Sequence, residues 1–251
     1  MVTITVIGSG NVAHHLIQAF SQSTAVELVQ LFARDSRALE QFSGLAEITD
    51  DLSGLKPADL YVIAVSDDAI GMLSERLPFE NRLVVHTSGS VSIEGLDHKN
   101  RRGVFYPLQT FSKNKTVDFD KIPICLEAQT PDDYKMLETV AGALSKKVYP
   151  IDSTQRQALH VAAVFVNNFV NHLYAMGADI CDANQIPFEI LKPLILETAD
   201  KVMTLTPNEA QTGPAKRNDA ATIQKHLDFL PDNQQKIYEL LTHSIQHGQK
   251  L

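Results

Sequence analysis

The run Gly8-Ser9-Gly10-Asn11-Val12-Ala13 has the clearest chemical reading in the chain. Val2 to Ile7, just before it, are all β-branched, as a short buried strand of a parallel sheet would be. Just after it, Val12, Leu16, Ala19 and Phe20 recur with the spacing of a helix. A strand turned by G-x-G-x-x-A directly into a helix is a pattern that binds dinucleotides. Gly8 permits the tight turn, and Gly10 lets the backbone approach a pyrophosphate. Ala13 is small enough for helix to rest on strand. Ser9, Asn11 and Val12 complete a loop whose phosphate would face the free N–H groups and positive end of the helix.

About 20 positions past such glycines, an NAD site places an acid against the ribose hydroxyls. Here the strand read over Val26 to Ala33 runs out into Arg34-Asp35-Ser36-Arg37. A guanidinium fork at Arg34, with the Ser36 hydroxyl behind it, suits a 2′-phosphate, so NADP is the expected cofactor. Asp35 keeps NAD as the less favoured choice, and it could equally cap a helix over Ser36 to Phe42.

Those residues need a sheet to hold them. Asp59 to Val65 reads as its central strand, ended by Ser66-Asp67-Asp68 at the start of a helix. Leu83 to His86 reads as the next, ending in Thr87-Ser88-Gly89-Ser90. Ligands of open α/β sheets lie beyond the carboxyl ends of strands. Val65 and Ser66 are therefore candidate walls for the cofactor, and Ser88 and Gly89 for a substrate. Gly103 to Phe111 is a strand leading into an aromatic loop. Ile122 to Leu126, a helix over Asp132 to Leu144, and Lys147 to Ile151 complete an α/β half spanning 1–151. The fold class expected there is a doubly wound, parallel Rossmann sheet.

From 152 to 251 only helical patterns remain, and this half is expected to be an all-helical domain. Ser153 is the expected N-cap of one long helix to about Ala183. Arg156, His160, Ala163, Asn167, Asn171 and Tyr174 fall on one side of it. The rest is apolar, which predicts a helix buried nearly all round, its polar stripe either bonded within the core or lining a cleft. Pro187 to Leu205 reads as a helix interrupted at Pro193. Thr206-Pro207-Asn208-Glu209 is a capping box, and Gly213-Pro214 stops the turn it starts. Thr212, Gly213 and Arg217 lie in a polar loop ending at Asp219, a candidate cap for Ala220 to Leu230.

The 251 residues carry 44% hydrophobic and 21% charged side chains, an ordinary globular balance. A net charge of −8 argues against a general nucleic-acid binder. The apolar run around Val161 to Val170 is too short to span a membrane. Cys125 and Cys181 have no metal spacing and read as reduced core residues. No basic leader precedes the first strand, so a cytoplasmic protein without a resident metal is expected.

With these motifs in view, the chain resembles a family of Rossmann-like proteins with a helical C-terminal domain of unknown function, related to deazaflavin-dependent NADP oxidoreductases. The matching pieces are G-S-G-N-V-A at Gly8 to Ala13, H-T-S-G-S at His86 to Ser90 and Y-P-L-Q-T-F at Tyr106 to Phe111. To them belong R-x-x-x-H at Arg156 to His160, N-N-F at Asn167 to Phe169, and T-G-P-x-x-R-x-D at Thr212 to Asp219. The resemblance implies a fold like that of the 6-phosphogluconate dehydrogenase superfamily, with a helical domain that forms a homodimer. β-Hydroxyacid dehydrogenases of that type carry a catalytic lysine three residues before an Asn-Asn pair. Here the pair is Asn167-Asn168 and the lysine position is Val164.

The function expected is NADP-dependent hydride transfer, from the reduced cofactor to a small anionic carbonyl or imine substrate. His160 would handle the proton, Asn167 would hold the substrate, and Arg217 with Ser88 would take its anionic group. The competitors are a non-catalytic NADP-binding sensor or dimeric scaffold and, less well, a methyltransferase, which Arg34 disfavours.

Overall fold

The β-branched N-terminal run forms β1 (Val2–Ile7), and the glycine turn feeds α1 (Asn11–Gln22). In the computed structural model, which describes residues 1–248, β2 (Val26–Phe32), β3 (Glu47–Thr49), β4 (Leu60–Ile63), β5 (Leu83–His86), β6 (Arg101–Pro107), β7 (Ile124–Ala128) and β8 (Val148–Pro150) complete one sheet. Its order is β3-β2-β1-β4-β5-β6-β7-β8. The chain leaves β1 on one side for β2 and β3, then returns to the other side for β4. The crevice over the ends of β1 and β4 is thus the topological switch point, where open α/β sheets bind ligands.

The register aligns those ends. Ile7 faces Phe32 and Ile63, Ile63 faces His86, and His86 faces Val104. The residues just beyond, Gly8, Arg34, Val65 and Ser88, are therefore delivered to one edge. The sheet is mostly parallel rather than wholly so, because β7 runs antiparallel to β6. The 108–123 connection carries the 3-10 turn Phe119–Lys121 and no crossover helix, so β7 runs back along β6.

Apolar residues cover both faces of this sheet. On one, Ile4, Val6, Leu31 and Phe105 pack with Leu16 and Phe20 of α1 and with Leu137 of α3 (Pro131–Gly142). On the other, Ile7, Tyr61, Ile63 and Val84 pack with Ile70 of α2 (Asp67–Glu75). Cys125 and Cys181 are buried free thiols. Among the described residues no helix is long and apolar enough to cross a membrane, and no group of three or more His, Cys, Asp or Glu could hold a metal ion.

The chain divides into two units, Met1–Asn167 and Asn168–Leu251. Several helical expectations need correction. The N-cap of α4 (Ser153–Ala163) is Asp152, not Ser153, because Asp152 and Gln155 form a reciprocal capping box. The hydroxyl of Ser153 is used elsewhere. A π turn, Val164–Phe169, stands between α4 and α5 (Val170–Ala183). Its i→i+5 bonding adds a residue to the turn, so a regular helical wheel fails beyond Val164. The helix is also not buried all round: Val161, Val166 and Leu173 are exposed. Pro193 does not interrupt a helix. It lies in the first turn of α6 (Lys192–Lys201), where its missing N–H costs nothing. The segment Ser36–Phe42 is a 3-10 helix.

In the second unit Thr206 and Glu209 form the expected capping box of α7 (Pro207–Ala210), and Asp219 caps α8 (Ala220–Phe229). The last helix, α9, spans Asp232–His247.

Candidate active site

Gly8 sits at φ +139°, and a Cβ there would lie 2.1 Å from the Ala64 carbonyl oxygen. Only glycine fits that turn. Gly10 is the N-cap of α1, and a Cβ on it would meet nothing within 4 Å. No side chain caps α1 and no acid stands in its first turn, so its leading N–H groups face open space. Ala13 is fully buried under the helix.

A cavity of about 750 Å³ begins at this turn and follows the carboxyl edge of the sheet. Gly8, Ser9, Gly10, Asn11 and Val12 line it, as do Val65 and Ser66 beyond β4. The amide nitrogen of Asn11 donates to the Phe111 carbonyl at 2.8 Å, which ties the aromatic loop after β6 to the glycine turn. Phe111 and Gln109 of that loop form part of the wall.

Arg34 lines the cavity and is exposed, with no side-chain partner among the described residues. Its neighbour is engaged: Asp35 accepts from Arg37 Nε at 2.9 Å and from a terminal guanidinium nitrogen at 3.0 Å. Those bonds hold the Asp35 carboxyl below the usual carboxylate range. Asp35 also accepts from the Arg37 backbone N–H, capping the 3-10 helix. The Ser36 hydroxyl donates to Asp50 at 3.2 Å, and Ser36 does not line the cavity.

Beyond β5, Ser88 and Gly89 both line the cavity. The Ser88 hydroxyl oxygen accepts from the backbone N–H groups of Ser90 at 3.1 Å and Val91 at 3.0 Å, which builds the turn. The Ser88 N–H donates to His86 Nδ1 at 3.1 Å. His86 is fully buried, and burial, with the nearby Arg156 guanidinium, lowers its pKa to about 4. It is a neutral structural imidazole at neutral pH.

His160 of α4 reaches the cavity opposite Gly89. Its Nδ1 lies 3.3 Å from the Tyr106 hydroxyl. A Cβ on Gly89 would come within 2.6 Å of that nitrogen and 2.9 Å of the Tyr106 ring. The absent side chain is therefore what lets the two rings meet. Burial raises the Tyr106 pKa above its ordinary value, so the phenol keeps its proton.

One turn before His160, Arg156 is fully buried. Its guanidinium meets Glu127 at 2.5 Å, the Val91 carbonyl and the Ser153 hydroxyl. The polar stripe of α4 thus divides: Arg156 joins a core network through its terminal nitrogens, and His160 faces the cavity. Asn167 lies in the π turn, is exposed and does not line this cavity. The π turn changes the helical register between the two residues.

In the second unit, Gly213 adopts φ +102° and Arg217 donates its backbone N–H to the Gly213 carbonyl at 3.3 Å. Arg217 and Thr212 are exposed, and the Arg217 guanidinium makes no hydrogen bond among the described residues. A separate apolar cavity of about 280 Å³ in this unit is lined by Leu173, Met176, Phe229, Ile237 and Leu241, with the buried Gln234.

Tyr106 stands in the Tyr106 to Phe111 motif without a local sign of its role, and the face of α2 at Ala69, Met72, Leu73 and Arg76 is a further part of the wall beyond the expected site residues. The second had a signal: those spacings are i, i+3, i+4 and i+7.

A family model described as a domain of unknown function, DUF2520, matches residues 122–245. No curated protein matches the chain. Among solved structures, a candidate NADP oxidoreductase, BF3122 from Bacteroides fragilis, is 41% identical over 98% of each chain, with a TM-score of 0.89. Protein TM1727 from Thermotoga maritima is 19% identical over 97% of each chain, TM-score 0.75. An imine reductase from Myxococcus stipitatus, in complex with NADP+, is 18% identical over 98% of this chain and 93% of its own, TM-score 0.66. The last two show the fold alone. The first shows kinship: the protein belongs to the family of BF3122, Rossmann-like proteins whose C-terminal part is the DUF2520 domain.

Proposed function

We propose that the protein is an NADP-dependent oxidoreductase acting on a small anionic carbonyl or imine compound. The observation that carries this reading is one cavity with an unpaired Arg34 and a Tyr106–His160 pair on its wall, joined by an uncapped glycine turn. The residues present fit a dinucleotide. Gly8, Ser9, Gly10, Asn11 and Val12 would hold the pyrophosphate on the N-terminus of α1. Arg34 would take the 2′-phosphate, and Val65 and Ser66 would flank the ribose. NAD is disfavoured because the nearest acid, Asp35, is already occupied by Arg37. A reduced nicotinamide supplies hydride at such a site.

The protein's own part is a proton and an orientation. His160 and Tyr106 share one hydrogen bond, so a proton given to a substrate oxygen or nitrogen can be replaced along it. Gly89 holds the space for that contact. Ser88 contributes mainly through its turn, and substrate holding by Asn167 draws no support from the cavity, which that residue does not line. Val164 at the lysine position favours imine or carbonyl reduction without lysine; it is also what favours the second reading, an NADP-binding sensor or scaffold that turns nothing over.

The proposal includes a homodimer covering the exposed apolar helices of the second unit, and a cytoplasmic setting in keeping with the two free thiols. Fluorescence titration tests the cofactor claim. Arg34→Ala is expected to lose about 1.5–3 kcal/mol in NADPH affinity, as for a charge-assisted bond, and little for NADH. Equal affinity of the wild-type protein for both would remove it. Steady-state NADPH oxidation against a panel of cyclic imines and 2-oxo acids separates enzyme from sensor.

A further inference from the structure

A second arginine lines the cavity that holds Arg34. α2 turns one face to it, with Met72 and Leu73 on one turn and Arg76 on the next. Arg76 is the C-cap residue of that helix and lines the cavity one turn beyond Met72 and Leu73. Arg34 and Arg76 are both exposed and neither guanidinium has a partner among the described residues. The two carboxylates on the same wall are engaged, Asp35 by Arg37 and Asp67 by the Ser90 hydroxyl. In a chain of net charge −8, two free guanidiniums on one cavity concentrate positive potential where an anion would sit.

We propose that Arg76 is a second arm for the 2′-phosphate, acting with Arg34, while the adenine rests on Met72 and Leu73. The proposal rests on the NADP reading above and extends it to a residue of α2. A guanidinium is a planar fork that matches two phosphate oxygens, and a near-dianionic 2′-phosphate offers three. One arginine leaves an oxygen unserved; a second from the facing helix takes it. Met72, 65% exposed, and Leu73 give the purine an apolar surface that requires no hydrogen bond.

The test is calorimetric titration of the full-length protein with NADPH, NADH, 2′-AMP and 5′-AMP. Arg76→Ala is expected to weaken NADPH and 2′-AMP about tenfold, the worth of an exposed charge-assisted bond, and to change NADH and 5′-AMP less than twofold. Arg76→Gln, which keeps the stem, should behave the same way, and Arg76→Lys should recover part of the loss. Equal weakening of NADPH and NADH would place Arg76 on adenine or pyrophosphate and overturn the proposal. If Arg34→Ala abolishes the NADPH preference while Arg76→Ala leaves it intact, the proposal fails and the NADP reading stands. A wild-type protein with no preference overturns both.

Discussion

The two units bury their apolar residues very differently. In the first, every residue of β4 and β5 is buried, and both faces of the sheet carry a packed layer. In the second, Leu194 and Leu196 of α6 are 62% and 63% exposed, and Leu240 of α9 is 70% exposed. Cys181, Ala215 and Gln234 are the buried residues there among those described. A sheet with helices on both faces closes its own core, whereas short helices with apolar residues on several sides need something to lie against. The homodimer proposal assigns the cover of this surface to a second copy.

The sharpest way to break this contrast is to make equal truncations in both units. Phe105 on β6 is fully buried between α1 and the sheet. Phe105→Ala should destabilise by about 3–5 kcal/mol through lost transfer energy and a cavity. Chemical denaturation should give that loss at every protein concentration. A concentration-dependent loss would show that the first unit also depends on association.

The next largest effect belongs to pH. His86 is neutral in the fold with a pKa near 4, against 6.5 when exposed. Its folded pKa is depressed, so the unfolded chain binds the proton more readily. Stability is then full above pH 6.5 and falls as pH drops toward 4, by about 3 kcal/mol from this group. Denaturation curves at pH 7 and pH 4.5 measure it. His86→Asn keeps an acceptor for the Ser88 N–H and should flatten that slope; an unchanged slope would sink the assignment.

Leu240→Ala carries the contrast into the second unit. Removing an exposed leucine from an isolated chain costs almost nothing. If a second copy covers it, the dimer should weaken by about 1.5–3 kcal/mol per buried side chain. Sedimentation equilibrium at several concentrations reads that directly, and a wild-type monomer at micromolar concentration would refute the dimer.

The same contrast explains what could be read from the chain. β1, β4 and β5 were legible because each is a short β-branched or apolar run closed within three residues by Gly or Ser. The glycine turn was legible because its residues are fixed by sterics that leave no alternative at Gly8. β3 was missed because it has three residues and sits at the sheet edge, too short for a period to show. Arg156 falls on a polar stripe that could be bonded within the core or line a cleft, and nothing local announces Glu127 as its partner 29 positions away. The Tyr106–His160 contact spans 54 positions and depends on a missing side chain at Gly89, which sequence spacing does not encode. The π turn shifted Asn167 away from a wheel that assumed regular geometry.

The smallest effect compares one cap chemistry in the two settings. Thr130 caps α3 by accepting from the Asp133 N–H at 3.2 Å, and its hydroxyl donates to the Asp133 carboxylate at 2.8 Å. That carboxylate is fully buried and paired with Arg101, so Thr130 also serves a buried charge. Thr206 makes the same pair of contacts with Glu209, but both residues are exposed on the four-residue helix α7. Losing a threonine cap costs about 1 kcal/mol in general. Thr130→Ala should cost more, about 2 kcal/mol, because it also leaves a buried carboxylate short of a donor. Thr206→Ala should stay below about 1 kcal/mol, since water replaces the lost bond. Denaturation of the two variants side by side gives the difference. Equal losses would mean that the second unit shields Thr206 in solution as the core shields Thr130, which is the outcome a tightly covering second copy would produce at that site.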